Sequence, residues 1–309
     1  QALAGEFDGL AGVSFAETCD TIQGLTDLWR RNLPRIPVFH FGMPTRLDGP
    51  IVRAYLLAEL RDLRRRIEAF IGHPISDDAL RASIVLYNRT RALVRALYAR
   101  AAGFSPPDLY ARVRAAFQMP KEVYNGGSGV SDQGLGAFPH FLTPSPSLLL
   151  SPAPLLILVG PTLADPVLFD VLAQAGARVA GDLLDLGERY FAVDAAEDGD
   201  PLEALADRLL GVPPVGGTEG GCPTPTKYHP QCRRADHLLA LVRERGAHGV
   251  LFARQKFCEP HGFDCALMKP VLDKAGIPHL LIELEQASQA GQLRTRVEAF
   301  VEMLGSPNP

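Results

Sequence analysis

The sequence predicts an α/β protein built from parallel strands and packed helices. Short apolar runs alternate with amphipathic stretches over residues 153–309, a pattern typical of a doubly wound, flavodoxin-like or Rossmann-like sheet. A shorter strand–helix–strand pattern occupies residues 1–45, and long amphipathic helices lie between the two regions. We therefore expect two α/β lobes, the first incomplete, with a helical insertion between them.

Residues 1–45 are expected to be the C-terminal part of the first lobe. They predict a strand, a helix and a second strand, over Leu10–Phe15, Asp20–Arg31 and Ile36–Phe41. Leu25, Leu28 and Trp29 are expected on the apolar side of the helix. The chain lacks an initiator Met and begins almost directly at a strand, so we expect the opening strands of this lobe to be missing from it.

Residues 46–125 predict a helical segment, and residues 126–152 a linker or mobile loop rich in Gly, Pro and Ser. Ile51–Ile71 carries leucines at helical spacing, and Pro74–Asp77 ends this helix and starts another that continues to about Ala102. Four arginines mark the polar side of the first helix: Arg61, Arg64, Arg65 and Arg66. They suit either a solvated helix face or a surface that binds the phosphates of coenzyme A.

Residues 153–309 predict the second lobe. Its strands are expected at Leu155–Val159, Ala177–Ala180, Gly249–Ala253 and His279–Glu283. Its helices are expected at Pro166–Ala175, Pro201–Leu210, Ala235–Arg245, Cys265–Ala275 and Gln292–Leu304. The carboxyl ends of the strands should line one crevice, where open α/β sheets bind ligands. These ends are Gly160-Pro161, Asp182, Lys256–His261 and Glu283–Gln286.

Composition and charge exclude several classes of protein. The 309 residues are 47% hydrophobic with a formal net charge of −4, which gives no electrostatic case for a nucleic-acid or membrane-surface partner. The longest apolar run, Ser147–Val159, is broken by Pro152 and Pro154 and is shorter than the ~20 residues of a membrane helix. The chain shows no signal-peptide layout, and five cysteines in this length form no small disulfide framework, so we expect a cytoplasmic protein.

Two cysteines follow predicted strands in equivalent contexts. Cys19 follows the first predicted strand, and Cys258 follows the apolar run Val250–Ala253. They suit either small buried packing residues or thiolate ligands that converge on a soft metal centre such as an iron–sulfur cluster. Two ligands are too few for a cluster, so a third would come from missing sequence or from a partner.

The other cysteines have more ordinary explanations open to them. Cys222 and Cys232 flank His229 in a proline-rich stretch, where they could pair, bind a metal or lie in an exposed loop. Cys265 is expected to begin a helix as a small packing residue.

Several segments resemble one family. They are KFCEPHGFDCALMKPVLDKAGIPHLLIELEQ (256–286), GQLRTRVEAFVEML (291–304), TCDTIQGLTDLWR (18–30), ISDDALRASIVLYNRTRALVRALY (75–98) and GARVAGDLLDLGERY (176–190). Together they resemble the 2-hydroxyacyl-CoA dehydratases, a family that also includes the subunits of ATP-dependent benzoyl-CoA reductase. The C-terminal motif is the most specific of these. The chain departs from the pattern at Leu184, where many relatives have a cysteine.

The resemblance implies a [4Fe-4S] cluster held between two lobes by three cysteines. By position, Cys19 is the second ligand and Cys258 the third, and no residue of this chain matches the first, upstream ligand. Water would be eliminated from a 2-hydroxyacyl-CoA through a ketyl radical, after one-electron reduction by a separate ATP-hydrolysing iron–sulfur activator. A homologous second large subunit, as heterodimer or homodimer, is the other implied partner.

Three functions therefore remain open: a dehydratase subunit (a lyase), a benzoyl-CoA reductase subunit (an oxidoreductase), and a cluster-free scaffold of the same fold. Glu259, His261 and Glu285 are candidate catalytic acid–base groups near strand ends, with Glu283 beside them; each also suits a structural role. Gln292, Arg294 and Arg296 suit either an anion or activator contact or a solvated helical turn.

Overall fold

The computed structural model describes residues 2–44, 49–118, 142–144, 152–211, 234–284 and 290–305. In chain order its strands are β1 (Val13–Ala16), β2 (Val38–Phe41), β3 (Leu155–Gly160), β4 (Arg178–Leu184), β5 (Gly249–Gln255) and β6 (His279–Leu284). Its α-helices are α1 (Asp20–Asn32), α2 (Val52–Ile71), α3 (Asp77–Tyr98), α4 (Pro106–Gln118), α5 (Val167–Gln174), α6 (Glu188–Phe191), α7 (Pro201–Leu209), α8 (Arg234–Glu244), α9 (Glu259–Lys274) and α10 (Ala290–Gly305). The α/β class is confirmed.

Two compact units make up the described chain. The first holds residues 2–85 and 195–211, and the second holds 86–194 and 234–305, with the division inside α3. The predicted domain boundaries at 45, 125 and 152 stay a prediction, and the predicted linker lies almost wholly outside the described residues. None of the described helices has the length and apolar character needed to span a membrane.

In the first unit, β1, α1 and β2 form a parallel β–α–β element. Val13 lies opposite Val38, and Ala16 lies opposite Phe41. Trp29 is buried with Leu33 and Ile36 against this pair of strands. Leu25 and Leu28 are 39% and 60% exposed, so their predicted burial is wrong. The reason is that the two-stranded sheet covers only the stripe of α1 that carries Thr26 and Trp29.

Helix α2 completes the first unit by packing against β2 and α7. Leu56 is fully buried in a small core with Val52 and Phe41. Arg64 and Arg66 make ion pairs within this unit: Arg64 binds Glu68 (3.1 Å) and Asp77 (2.7 Å), and Arg66 binds Asp62 (2.7 Å). These ion pairs favour the structural interpretation of the arginine run over phosphate binding.

The second unit is built on one parallel sheet with strand order β4-β3-β5-β6. Its central strands are buried on both faces, which explains their continuous apolar sequences. Leu156 and Leu158 face one core with α4, α5 and α10. Ile157 and Val159 face the opposite core with α8 and α9. Helices therefore cover both sides, as the alternating pattern predicts.

Two predicted boundaries are wrong in ways that affect the site. Strand β4 continues to Leu184 instead of ending at Ala180, so Asp182 lies inside the strand and is 3% exposed. The apolar pair Leu183 and Leu184 extends the strand because both side chains are buried. Helix α9 begins at Glu259, so Cys265 is an interior helical residue packed in the core and does not begin the helix.

Candidate functional site

Cys19 and Cys258 occupy the same structural position in two different places. Cys19 follows β1 and is the N-cap residue of α1, and Cys258 follows β5 and is the N-cap residue of α9. Each carbonyl oxygen accepts a backbone hydrogen bond from the first helical turn, from Ile22 (3.1 Å) and Gly262 (3.0 Å) respectively. Both thiols are half-buried, and neither forms a disulfide.

The turn before Cys258 is conformationally unusual. Phe257 has φ of +65°, in the left-handed region that costs an L-residue roughly 1–2 kcal/mol. Its side chain is 85% exposed, so burial of the ring does not offset this cost. The turn changes the direction of the chain between β5 and α9 and brings Cys258 to the helix N-terminus.

Both thiols lie at the N-terminus of a helix. The N-terminus of a helix carries partial positive charge, which stabilises a nearby anion. Neither cysteine side chain makes a capping hydrogen bond to its own helix. Cys265 differs, because burial raises the pKa of its thiol to about 11. Cys19 and Cys258 therefore fit the donor chemistry of a soft metal, and Cys265 does not.

His261 lies one turn after Cys258 and is 5% exposed. Its Nε2 atom is 3.1 Å from a carboxylate oxygen of Asp185, which follows β4. Its Nδ1 atom has no hydrogen-bond partner among the described residues. Asp185 also contacts the buried guanidinium of Arg189 at 3.2 Å. These contacts tie the first turn of α9 to the carboxyl end of β4.

The remaining candidate acids have different surroundings. Glu259 is exposed in the first turn of α9. Glu283 pairs with Arg254 on the adjacent strand, and this contact lowers the pKa of the Glu283 carboxyl. Glu285 lies outside the described residues. On α10, Arg294 pairs with Glu298 (2.7 Å), and Arg296 donates to the Leu281 carbonyl (2.7 Å).

A buried acidic cluster lies near the end of β4, and the sequence pattern predicts only its Asp182 near a strand end. One Asp182 oxygen accepts the Tyr98 hydroxyl, and the other accepts backbone N–H bonds from Leu184 (3.1 Å) and Glu188 (2.9 Å). The Glu188 side chain pairs with Arg245 at 2.8 Å. Burial raises the pKa of Glu188 to about 7 and also raises that of Asp182. Acidic residues within and just after the apolar run of β4 are the signal that could have pointed to Asp182 and Glu188, but not to their partners Tyr98 and Arg245.

The two proposed ligands belong to different units, Cys19 to the first and Cys258 to the second. Over the ranges that the structure describes, no group of three or more His, Cys, Asp or Glu side chains could hold a metal ion. Cys222, His229 and Cys232 lie outside those ranges. The convergence of Cys19 and Cys258 on one centre stays a prediction.

Comparison with known proteins identifies related chains over nearly the full length. The beta subunit of (R)-2-hydroxyglutaryl-CoA dehydratase from Acidaminococcus fermentans is 27% identical, covering 98% of this chain and 78% of the relative. The (R)-phenyllactyl-CoA dehydratase beta subunit of Clostridium sporogenes is 23% identical, with the same coverages of 98% and 78%. One subunit of the benzoyl-CoA reductase of Thauera aromatica is 26% identical, covering 94% of this chain and 73% of the relative.

A family-level match agrees with these relatives. The sequence model described as 2-hydroxyglutaryl-CoA dehydratase, D-component, matches residues 1–304. It confirms the resemblance drawn from the cysteine motifs and the C-terminal segment. The lyase relatives likewise confirm the expected enzyme class, with benzoyl-CoA reductase as the alternative. The protein belongs to the 2-hydroxyglutaryl-CoA dehydratase D-component family.

Proposed function

We propose that this chain is the iron–sulfur subunit of a 2-hydroxyacyl-CoA dehydratase, a hydro-lyase that removes water from a 2-hydroxyacyl thioester. It works with a homologous second subunit and receives single electrons from an ATP-hydrolysing iron–sulfur activator, in a reducing cytoplasm. Two relatives named as dehydratase beta subunits support the reaction class. The half-buried thiols outside any disulfide support the reducing compartment.

The observation that carries the proposal is the repeated strand–cysteine–helix arrangement. Cys19 and Cys258 would hold a [4Fe-4S] cluster, with the remaining protein ligand supplied from outside the described residues or by the partner subunit. When bound, the cluster would supply low-potential electron transfer and an open iron position that polarises a substrate oxygen. The helix N-termini would offset the negative charge of the thiolates.

The other residues of the Cys258 turn take supporting roles in this proposal. His261 and Asp185 hold the first turn of α9 against the end of β4, which positions Cys258. Glu259 lies on the exposed side of the same turn and is available to accept or return a proton from bound substrate. Glu285 is a second candidate for that proton transfer.

Replacing Cys258 with Ala should abolish the brown iron–sulfur chromophore after anaerobic purification and reconstitution. The native chain should carry about four irons, the content of one [4Fe-4S] cluster. Cys265→Ala is the matched control, because it removes a buried thiol from the same helix and should leave the spectrum unchanged. An unchanged spectrum in the Cys258 variant would remove that residue from the site. A native chain without iron, even after reconstitution, would favour the cluster-free scaffold.

A benzoyl-CoA reductase subunit is the second candidate function, supported by the relative from Thauera aromatica. Both candidates use the same ligands, so iron content does not separate them. The complex assembled with its partner and reduced activator should be assayed with 2-hydroxyacyl-CoA thioesters and with benzoyl-CoA. Formation of an enoyl-CoA product supports the dehydratase, and ring reduction without dehydration would replace it with the reductase.

A further inference from the structure

A cavity of about 290 Å³ lies beside the carboxyl ends of β3 and β4, within the second unit. The loop after β3 and one face of α4 form much of its wall. Most of the lining is aliphatic or aromatic, with Leu109, Val113, Phe117, Leu163, Phe169 and Leu184. Ligands in open α/β sheets bind at this end of the strands.

In the buried part of the lining, one polar side chain can accept a further hydrogen bond. Tyr98 and Asp182 line the cavity and are 2% and 3% exposed. The Tyr98 hydroxyl donates to Asp182, whose other oxygen accepts two backbone N–H bonds. The carboxylate is therefore satisfied inside the protein, and the Tyr98 oxygen can still accept a bond from a ligand.

The exposed part of the lining carries a cation. Arg114 lies with its guanidinium 5.6 Å from the centre of the Tyr110 ring, and it donates to the Tyr110 hydroxyl at 3.2 Å. The same nitrogen of Arg114 also donates to the Ala164 carbonyl at 3.5 Å, and the side chain is exposed, which leaves its remaining N–H groups toward solvent or a ligand. The cavity thus combines an apolar interior with one positive charge at its exposed edge.

We propose that this cavity binds the apolar acyl or aryl part of a carboxylic thioester, with the carbonyl or phosphate end held at Arg114. A cavity of about 150 Å³ holds one benzene ring, so 290 Å³ accommodates a phenyl ring with a short chain, or a branched chain of five or six carbons. Identification of the ligand as a thioester rests on the proposed function. The preference for an apolar body rests on the lining alone.

The same lining disfavours dicarboxylic acyl groups. A second carboxylate placed in the interior would lose its hydration among apolar side chains. The buried polar group that it would meet is the Asp182 carboxyl, whose oxygens already accept the Tyr98 hydroxyl and two backbone N–H groups and which offers the ligand no donor cation. A glutaryl group should therefore bind far more weakly than a benzoyl or 4-methylpentanoyl group.

The test is calorimetric titration of the full chain with benzoyl-CoA, 4-methylpentanoyl-CoA, glutaryl-CoA and free coenzyme A. The first two should bind at least about tenfold more tightly than the last two, a difference of about 1.4 kcal/mol. Equal binding of all four would overturn the proposal, because the acyl group would then lie outside the cavity.

Matched substitutions inside and outside the lining test whether the thioesters bind in the cavity. Ala164→Phe adds a ring at an exposed position of the lining and should weaken apolar thioesters at least about tenfold. Ala92→Phe makes the same change at an exposed position of α3 outside the lining, and should leave binding unchanged. Arg114→Gln should weaken the thioesters severalfold while leaving neutral toluene binding unchanged. If the Ala164 variant does not fold, Thr162→Trp blocks the same exposed edge.

Undiminished binding in a folded, blocked variant would exclude the cavity as the site. This result is separable from failure of the proposed function, because the titration requires neither iron nor electron transfer. A chain that holds iron but binds no thioester refutes only the cavity proposal. A chain that binds apolar thioesters but never holds iron refutes only the cluster.

Discussion

In the second unit, two acidic side chains lie largely out of contact with solvent. Asp182 and Glu188 lie close together, and each is held by a specific partner, Tyr98 and Arg245. Gly187 is required between them, because a Cβ atom there would approach Asp182 Oδ1 to 2.0 Å. Burial disfavours the charged forms, which raises the pKa of both carboxyls.

At the scale of single residues, we predict that the free energy of unfolding depends on pH through the Glu188 carboxyl. Glu188→Gln should remove this dependence. The Glu188 carboxyl has a pKa near 4.5 when unfolded and about 7 when folded. Between those values the folded state holds a proton that the unfolded state has lost, so stability falls as pH rises from about 4.5 to about 7. The size of the effect is up to about 3 kcal/mol.

Urea unfolding of both proteins between pH 5 and pH 8 measures this effect. The native chain should lose more unfolding free energy over this range than the variant does. Glu244→Gln is the control, because Glu244 is 72% exposed and is the smallest of the named contributions to the raised pKa of Glu188, so it should change the slope far less than Glu188→Gln does. Parallel curves for native and Glu188→Gln chains would contradict the prediction.

Among the elements, helices α1 and α9 begin without the side-chain N-cap that usually stabilises the start of a helix. Helix α7 shows the usual solution, since the Asp200 side chain accepts N–H bonds from Leu202 (2.8 Å) and Glu203 (3.3 Å). Cysteine occupies the equivalent position in α1 and α9 and makes no such side-chain bond. Cysteine at these positions leaves the first turn without a side-chain cap, at a cost in helix stability.

For these elements we predict that Cys19→Ser and Cys258→Ser each raise the unfolding free energy of the iron-free chain by about 0.5–1 kcal/mol. Serine is nearly the same size as cysteine and caps helix N-termini well. Denaturant titration of the iron-free protein measures the gain. Cys265→Ser, in the buried interior of α9, should instead lower the unfolding free energy, because it places a hydroxyl in an apolar core. Destabilisation by both N-cap variants would show that the thiols already stabilise their turns.

As a whole molecule, the described chain contains two units with their own apolar cores. Leu56 is fully buried in the core of the first unit, and Leu158 is fully buried in the central strand of the second. The core around Leu56 and the core around Leu158 have no buried residue in common. Each unit should therefore depend mainly on its own buried side chains for stability.

At this largest scale we predict that core truncations act locally. Leu56→Ala and Leu158→Ala should each cost about 2–5 kcal/mol, because each leaves a cavity in a packed interior. Hydrogen exchange followed by mass spectrometry should show faster exchange in β2, α2 and α7 for the first variant. The second should accelerate exchange in β3 to β6. Faster hydrogen exchange across both units in either variant would contradict the prediction that each truncation acts within its own unit.

Much of the architecture is predictable because apolar periodicity reports burial directly. Strands β3, β5 and β6 and helices α1, α2 and α3 appear within a few residues of their predicted bounds. The prediction for Leu25 and Leu28 is wrong because periodicity identifies an apolar stripe but not the width of the sheet that covers it. Short α6 and the continuation of β4 carry too few residues to produce a periodic signal.

The α/β class, the two strand–cysteine–helix turns and the family can all be inferred from the amino-acid sequence, because they depend on local patterns and on motifs in their order along the chain. The contact of His261 with Asp185, that of Tyr98 with Asp182 and the cavity beside Arg114 are visible only in the folded chain. Those contacts join residues 76 and 84 positions apart. Their formation depends on strand order and helix packing, which no local pattern encodes.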